Sequence, residues 1–470
     1  MLDTIFLILF SGSFFLWNLG GTYLTNWDEA WYAGISKNML LRGDFITPFW
    51  NNAPYFDKGP LYHWLSVLTF KIIPHWEIAA RLPSALAGIG CVVLVYLLGK
   101  ILFNRKTGII SSLVLGSTIG FLYRTRTGNL DAMVVFLILA SFLFFFFAQK
   151  NPKYFLLLGF SLGLLFLTKT ALVVLPLFTF LLFIIWERDL KFYKNYYLVL
   201  GMALGLLIPG IWLFLGTKAN GRQFLDFYLN LFFWPLFKFG AVSQTTDRFS
   251  LKYIFYLFYG TKLWFFFFLP SFLFSLIKTL KDKRFFFLVS AFIPYFLVLL
   301  ATKEAGDWYL LPLYPILALM IGSFLIFLQE KIYPPKQGVF LLVGLCLSLA
   351  LIQNIYFRSL FIVSETLNHE VELSRLAKNI SSPNETLIVD DFYFPVASFY
   401  SERKIKVVRR EATDTNLVLS KNSFYKLLMR KDKVIILTTP EKFLEIKKDL
   451  KEVNFKIEKQ AGDHLLITKI

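Results

Sequence analysis

The sequence predicts a polytopic α-helical membrane protein, with about 11–13 membrane-crossing helices, that carries a small α/β domain after its last span. Three observations lead there. Apolar residues make up 56% of the 470, and Phe alone contributes 55, which is far from the balance of a soluble globular chain. Apolar runs such as FLILASFLFFFF at 136–147 recur along the first three quarters of the chain. After about residue 362 the pattern changes to charged residues interspersed among short strand-like runs.

At the length that crosses a bilayer, helices are expected near 4–20, 81–102, 108–123, 131–148, 154–168, 170–186, 196–216, 252–277, 285–301, 308–328 and 339–362. The stretch 154–186 reads as a tight hairpin broken at Thr168-Lys169-Thr170. Such a break survives in lipid only where protein or water meets the backbone. The first run, LDTIFLILFSGSFFLW, has neither the basic cluster nor the small-residue cleavage site of a removable signal, so it reads as an anchor that stays. Cys91 and Cys346 lie inside apolar runs far apart, as small buried hydrophobes.

The short connections alternate in charge. Lys100, Arg105 and Lys106, then Lys150 and Lys153, then Arg188, Lys191 and Lys194, then Lys278, Lys281, Lys283 and Arg284, then Lys331 and Lys336 fall on one side. That side is the cytoplasm by the positive-inside rule. The opposite short loops carry only Arg124, Arg126, Lys169 and Lys303. The long loops at 21–80 and 217–251, and the tail after 362, then face outward. The net charge of +18 is accounted for by topology and contact with membrane lipids, which excludes a nucleic-acid footprint.

Two domains are expected: 1–362 in the membrane, including the first outer loop, and 363–470 outside it. Strand-like runs in the tail lie at 386–392, 404–410, 433–439 and 463–470, separated by the helix-like NSFYKLLMR and PEKFLEIKKDLKEV. The tail has no glycine-rich phosphate loop or metal-ligand spacing and is assigned no chemistry.

The first outer loop is too long for a connector and too patterned for a linker. Trp31, Ile35 and Met39 form a stripe on a helix that begins near Asp28 and ends at the RGD of 42–44, with Gly43 as its cap. Leu61, Leu65, Leu68 and Ile72 stripe a second helix. Both read as interfacial helices. Between them NNAPYFDKGPLYHW brings Tyr55, Asp57, Lys58 and His63 close to the membrane surface.

The order WDEAWYAGISKNMLLRGDFITPFWNNAPYFDKGPLYHWLS, EIAARLPSALAG, RTGNLDAM, GLLFLTKTALVVLPL and WYLLPLYPILAL resembles the bacterial aminoarabinose transferase and protein O-mannosyltransferase superfamily, whose members are GT-C glycosyltransferases. The resemblance spans most of the membrane region and only loosely covers the carboxy-terminal domain. It implies a multi-pass protein of the bacterial inner membrane with the active site and the carboxy-terminal domain on the extracytoplasmic side. It also implies inverting transfer of a sugar from a polyprenyl-phosphate donor, of the undecaprenyl type, to an envelope acceptor: a lipid A-like glycolipid, a protein or a glycan. An acceptor hydroxyl must lose a proton as it attacks, so a carboxylate serves as general base. The departing phosphate gathers negative charge, which fixed cations stabilise.

Asp28 matches the family's loop aspartate and takes the base role, with Glu29 in support; Lys58 matches the phosphate-contacting lysine of the family's PYFEKPPL motif, flanked here by Tyr55 and Asp57. Asp131 matches the family's second acidic residue and could orient the acceptor or tune Asp28. Arg126 could assist the phosphate, Lys169 corresponds to the lysine of the LTKG element, and Tyr309, beside Asp307, opens WYLLP. Three departures weaken aminoarabinose as the sugar: Trp31 stands where arginine is common, Asp57 where glutamate is usual, and Thr170 where LTKG has its glycine.

Plainer readings stand beside these. Asp28 and Asp131 fit helix caps, Lys58, Arg124 and Arg126 fit snorkelling or headgroup contacts, and Tyr309 fits an aromatic belt. His63 and His75 could join Asp57 or Glu29 around a divalent metal, although no HExxH-like spacing exists, so a metal stays open. The alternative function is a transporter or flippase of lipid-linked glycans, which would call for repeated halves and a mid-membrane charged pair. The sequence has neither.

Overall fold

The computed structural model describes residues 1–188, 194–237, 251–301, 306–332, 335–360, 365–390, 394–409, 414–430 and 432–470. Lys191 and Lys303 lie outside the described residues. Two compact units are formed, one from residues 1–19, 56–62 and 81–361, the other from 20–55, 63–80 and 362–470.

The first unit is helical because a chain in lipid must close its backbone hydrogen bonds within itself. Among the described residues eight helical runs are long and apolar enough to cross a membrane, or nine if the bent pair Arg105–Ser117 and Ile119–Arg126 is one span. The first helix, Leu2–Phe15, is shorter than the run 4–20 expected for it. The run 108–123 is the bent pair, turning 65° at Thr118. Its cause is local: Ser117 and Thr118 both turn their hydroxyls back onto carbonyls of the preceding turn, Leu113 at 2.7 Å and Val114 at 2.8 Å.

Tyr154–Glu187 is one helical run of 34 residues by length, yet it doubles back. Tyr154 packs on Phe144 and Phe147, while Phe180 and Phe183 pack on Phe145 and Phe146. Both ends of the run therefore lie beside the same end of the Asp131–Ala148 helix. The tip is the 3-10 turn Thr170–Val173, and Lys169 stands at that tip as the hairpin expectation requires. Part of the expected loop at 217–251 is helix instead: Tyr196–Asn220 continues past Gly221, at φ +78°, into Arg222–Phe237.

Glycines set the closest helix contact. A Cβ on Gly159 would fall 1.8 Å from the Gly201 carbonyl oxygen, and one on Gly201 would fall 2.2 Å from that of Phe155. With Gly163 and Gly205 one turn on, the two backbones touch along a small-residue seam.

The second unit joins most of the first long loop, residues 20–55 and 63–80, to the carboxy-terminal domain, whereas the sequence places that loop with the membrane part. Six strands run in the order 418–420, 404–409, 386–390, 434–438, 464–469, 455–461. The first four are parallel, and the last two are an antiparallel hairpin. Four were expected; Val418–Ser420 is three residues long, and Phe455–Ala461 reads FKIEKQA with no apolar alternation. Leu24, Ala30, Ala33, Phe70, Ala79 and Ala80 of the loop share one apolar core with Val371, Val396, Phe399 and Tyr400. Lys37 donates to Glu402 at 2.5 Å while lying over the Trp76 and Phe399 rings. Asn51 closes both backbone groups of Ile405.

Two outcomes are expected. Gly159→Val forces the helices apart and should lower the stability of the protein in nanodiscs by about 2 kcal/mol or more, read as a fall in melting temperature. Burial raises the Glu370 carboxyl from 4.5 to about 7, against the hydrogen bond it accepts from Asn26. A raised acid contributes its stability below pH 4.5 and loses it as pH climbs through 7. Glu370→Gln should therefore match wild type at pH 4.5 and exceed it by about 2 kcal/mol at pH 8, checked by melting across that range.

Candidate active site

Asp131 opens the Asp131–Ala148 helix, where Asn129 places it. The Asn129 side-chain oxygen accepts from the Asp131 backbone N–H at 2.9 Å, and its amide donates to the Thr127 hydroxyl at 2.6 Å. Ser84 donates to the Asn129 carbonyl at 2.5 Å and lies 3.2 Å from the Tyr62 hydroxyl. Asn129 was not singled out in the sequence; an Asn two residues before a helix-opening acid is the signal that could have found it.

Around that carboxylate the first unit gathers opposite charge. Lys169 donates to Asp131 Oδ1 at 3.1 Å and lies 4.7 Å from the Tyr309 ring. Arg124 stands 3.9 Å from Asp131 Oδ2 and 3.6 Å from Asp307 Oδ1, with its guanidinium over the Trp308 ring. Those two separations exceed hydrogen-bond length, so they are ion pairs without a direct hydrogen bond. Tyr314 wedges its hydroxyl between Gly120 and Gly260, where a Cβ would come to 2.6 and 2.0 Å. Its neighbours' missing side chains make that position possible.

Lys58 pairs with the adjacent Asp57. Its carbonyl accepts from the Tyr228 hydroxyl at 2.9 Å. The next residue, Gly59, packs so tightly on the end of the Lys169 helix that a Cβ would lie 2.1 Å from the Leu167 carbonyl oxygen. The Lys58 segment is thus seated on the helix that carries Lys169.

Arg126 does not join this group. It is buried, donates to the Phe14 carbonyl at 2.7 Å, and stacks between Trp17 and Phe357. Two residues apart on one helix point about 200° apart. Arg124 faces Asp131, so Arg126 faces away.

In the second unit Asp28 is the first residue of the Asp28–Arg42 helix, half-buried, with Trp27 as the cap. Trp27 sits at φ +68°, ψ −123°, a conformation that costs energy in any residue but Gly. Glu29 is buried and accepts from the Thr25 backbone N–H at 2.8 Å and hydroxyl at 2.9 Å. Asn26 donates to Glu370 at 3.0 Å and accepts from the Val396 N–H at 3.2 Å. The strained turn before Asp28 is therefore held from both sides. Trp31 stacks on Trp50 with centroids 4.7 Å apart and lies 5.8 Å from the Tyr55 ring.

Among the described residues no group of three or more His, Cys, Asp or Glu is placed to hold a metal ion. His63 is fully buried 3.0 Å from the Ser36 hydroxyl, and burial pushes its imidazole down to about 3. His75 faces Glu77 at 3.2 Å.

Comparison with known proteins gives these features a class. The family described as dolichyl-phosphate-mannose-protein mannosyltransferase matches residues 57–213. An uncharacterised protein of Aquifex aeolicus is 31% identical over 331 residues, 69% of this chain and 73% of that one. The undecaprenyl phosphate-alpha-4-amino-4-deoxy-L-arabinose arabinosyl transferase of Shewanella sediminis is 28% identical over 55% of this chain, a match that spans about half, 48%, of that protein. The fold matches that of the crystal structure of ArnT from Cupriavidus metallidurans bound to undecaprenyl phosphate, with a TM-score of 0.80 over 99% of this chain and 97% of that one, at 15% identity.

The chain is thus a membrane glycosyltransferase with the GT-C fold. Within that class it belongs to the family of the protein mannosyltransferases and aminoarabinose transferases, which use lipid-phosphate sugar donors.

Asp131 and Lys169 should behave as one unit. In a double-mutant cycle of Asp131→Asn and Lys169→Met, the coupling energy for melting in nanodiscs is expected at about 1–3 kcal/mol, with Asp131→Asn alone the more damaging because it leaves Lys169 and Arg124 facing no anion at that position.

Proposed function

We propose that this chain transfers a sugar, with inversion, from a polyprenyl-phosphate donor of the undecaprenyl type to a hydroxyl or phosphate of an envelope acceptor, at the extracytoplasmic face of the bacterial inner membrane. The acceptor class is a lipid A-like glycolipid, a protein or a glycan. Residues 1–362 carry the catalysis in this reading. The observation that supports it most is the Asp131–Lys169–Arg124–Asp307 cluster, at the end of an apolar bundle, in a chain of this family. Relatives named for undecaprenyl-phosphate aminoarabinose, and a fold-mate crystallised with undecaprenyl phosphate, support the donor class.

The chemistry divides between carboxylates and cations. Asp28 takes the proton of the acceptor hydroxyl as its oxygen bonds to the anomeric carbon. The bond from that carbon to the phosphate oxygen breaks, and the electron pair leaves with the polyprenyl phosphate. Lys58 neutralises that charge, with Lys169 and Tyr309 as further contacts for the donor and Tyr55 and Asp57 shaping the Lys58 segment. Glu29 positions Asp28 through the Thr25 turn, and Asp131 holds Lys169.

Purified protein in lipid would be given radiolabelled undecaprenyl-phosphate sugars and envelope extract. Asp28→Asn should lower turnover by about 100-fold or more, the contribution of a general base, while leaving donor binding within about twofold. Lys58→Ala should weaken donor binding and slow turnover together. Asp28→Asn working at the wild-type rate would sink the base assignment.

A further inference from the structure

Two tyrosines beside the charged cluster have no part in the mechanism above. Tyr253, the second residue of the Lys252–Thr261 helix, is 0% exposed. Tyr295 lies on the Lys283–Ala301 helix, and its hydroxyl is buried. Neither hydroxyl has a hydrogen-bond partner among the described residues. Both lie within electrostatic reach of Tyr309; Tyr295 is also within reach of Asp131 and Tyr253, and Tyr253 within reach of Asp307. A buried hydroxyl without a partner costs about 1–3 kcal/mol, and Phe would fill the same space without that cost. The chain carries 55 Phe, so two unsatisfied hydroxyls at one place stand out.

The charge of the site selects what they bind. Among the described residues the cluster holds two cations, Arg124 and Lys169, and two carboxylates, Asp131 and Asp307. These four described charges cancel, so as a set they favour a neutral ligand as readily as an anion. Tyrosyl hydroxyls are neutral and both donate and accept, as sugar hydroxyls do. We infer that Tyr253 and Tyr295 form a neutral subsite that receives the ring hydroxyls of the transferred sugar, distinct from Lys58, which meets its phosphate. This rests on the transferase reading.

The test compares binding of bare undecaprenyl phosphate with binding of its mannose, glucose, galactose and 4-amino-4-deoxy-L-arabinose conjugates, by wild type, Tyr253→Phe and Tyr295→Phe in nanodiscs. Wild type should prefer one conjugate to the bare lipid. Each Phe variant should lose about tenfold in affinity for that conjugate, the worth of one hydrogen bond, and keep its affinity for the bare lipid. Both should melt at or above the wild-type temperature without ligand, because no contact of the hydroxyl with a described residue is lost.

Variants that keep the full preference for the conjugate would overturn the subsite, since the hydroxyls would then meet only water. Equal losses for conjugate and bare lipid would overturn it too, by assigning the tyrosines to the phosphate or the lipid, and so would a wild type that prefers no conjugate. A wild type that fails to bind even undecaprenyl phosphate would instead bring down the transferase reading beneath it.

Discussion

A carboxylate at the end of an apolar bundle must be neutralised, and much of this enzyme's membrane unit is arranged around that need. Left alone, Asp131 would cost several kcal/mol of lost hydration. Lys169 reaches it because the Tyr154–Glu187 run reverses at Thr170–Val173 and carries the lysine at its tip. Arg124 faces it because the chain bends by 65° at Thr118, which re-aims the short helix that ends in Arg126. The backbone N–H that starts the Asp131 helix is held by the Asn129 side chain, and Ser84 in turn grips the Asn129 carbonyl, so the residue is fixed at its base. Bend, hairpin and cap are three local solutions to one electrostatic demand.

The second unit solves a different problem, holding a strained turn. Trp27 occupies a left-handed conformation next to Asp28, and such strain persists only where the surroundings over-determine it. Glu29 ties the turn from the helix side, and Asn26 ties it to Glu370 and Val396 of the carboxy-terminal domain. This gives a physical role to the carboxy-terminal domain. Its sheet is a rigid base, and the apolar core it shares with the loop turns a long surface segment into fixed structure. Adjacent acids thereby part company: Glu29 is buried as a strut, while Asp28 stays half-exposed.

How much of this was legible in the sequence follows from the same physics. Lipid permits few backbone solutions, so the apolar runs announced helices and the 154–186 hairpin. Lys169 was legible because a lysine inside a short hairpin needs a partner. The choice between Arg124 and Arg126 was not: both are basic residues at a helix end, and only the helix's rotation decides which one meets Asp131. The strand Phe455–Ala461 was hidden because an edge strand with polar, exposed residues shows no alternation. Tyr253 and Tyr295 were hidden for the opposite reason, since in a chain that is 19% aromatic two more rings raise no signal.

Neutrality also decides how the charges can be used. Arg124 faces its two carboxylates across 3.6 and 3.9 Å, ion pairs longer than a direct hydrogen bond. Preorganised but unclosed partners stabilise developing charge at little reorganisation cost. Trp31 sharpens the division of labour. Its indole stacks against Trp50 and lies by Tyr55, and an indole offers a flat apolar face with no positive charge. In the reading proposed above, the cationic duty toward a lipid phosphate falls on Lys58, and contact with the sugar falls on neutral rings and hydroxyls.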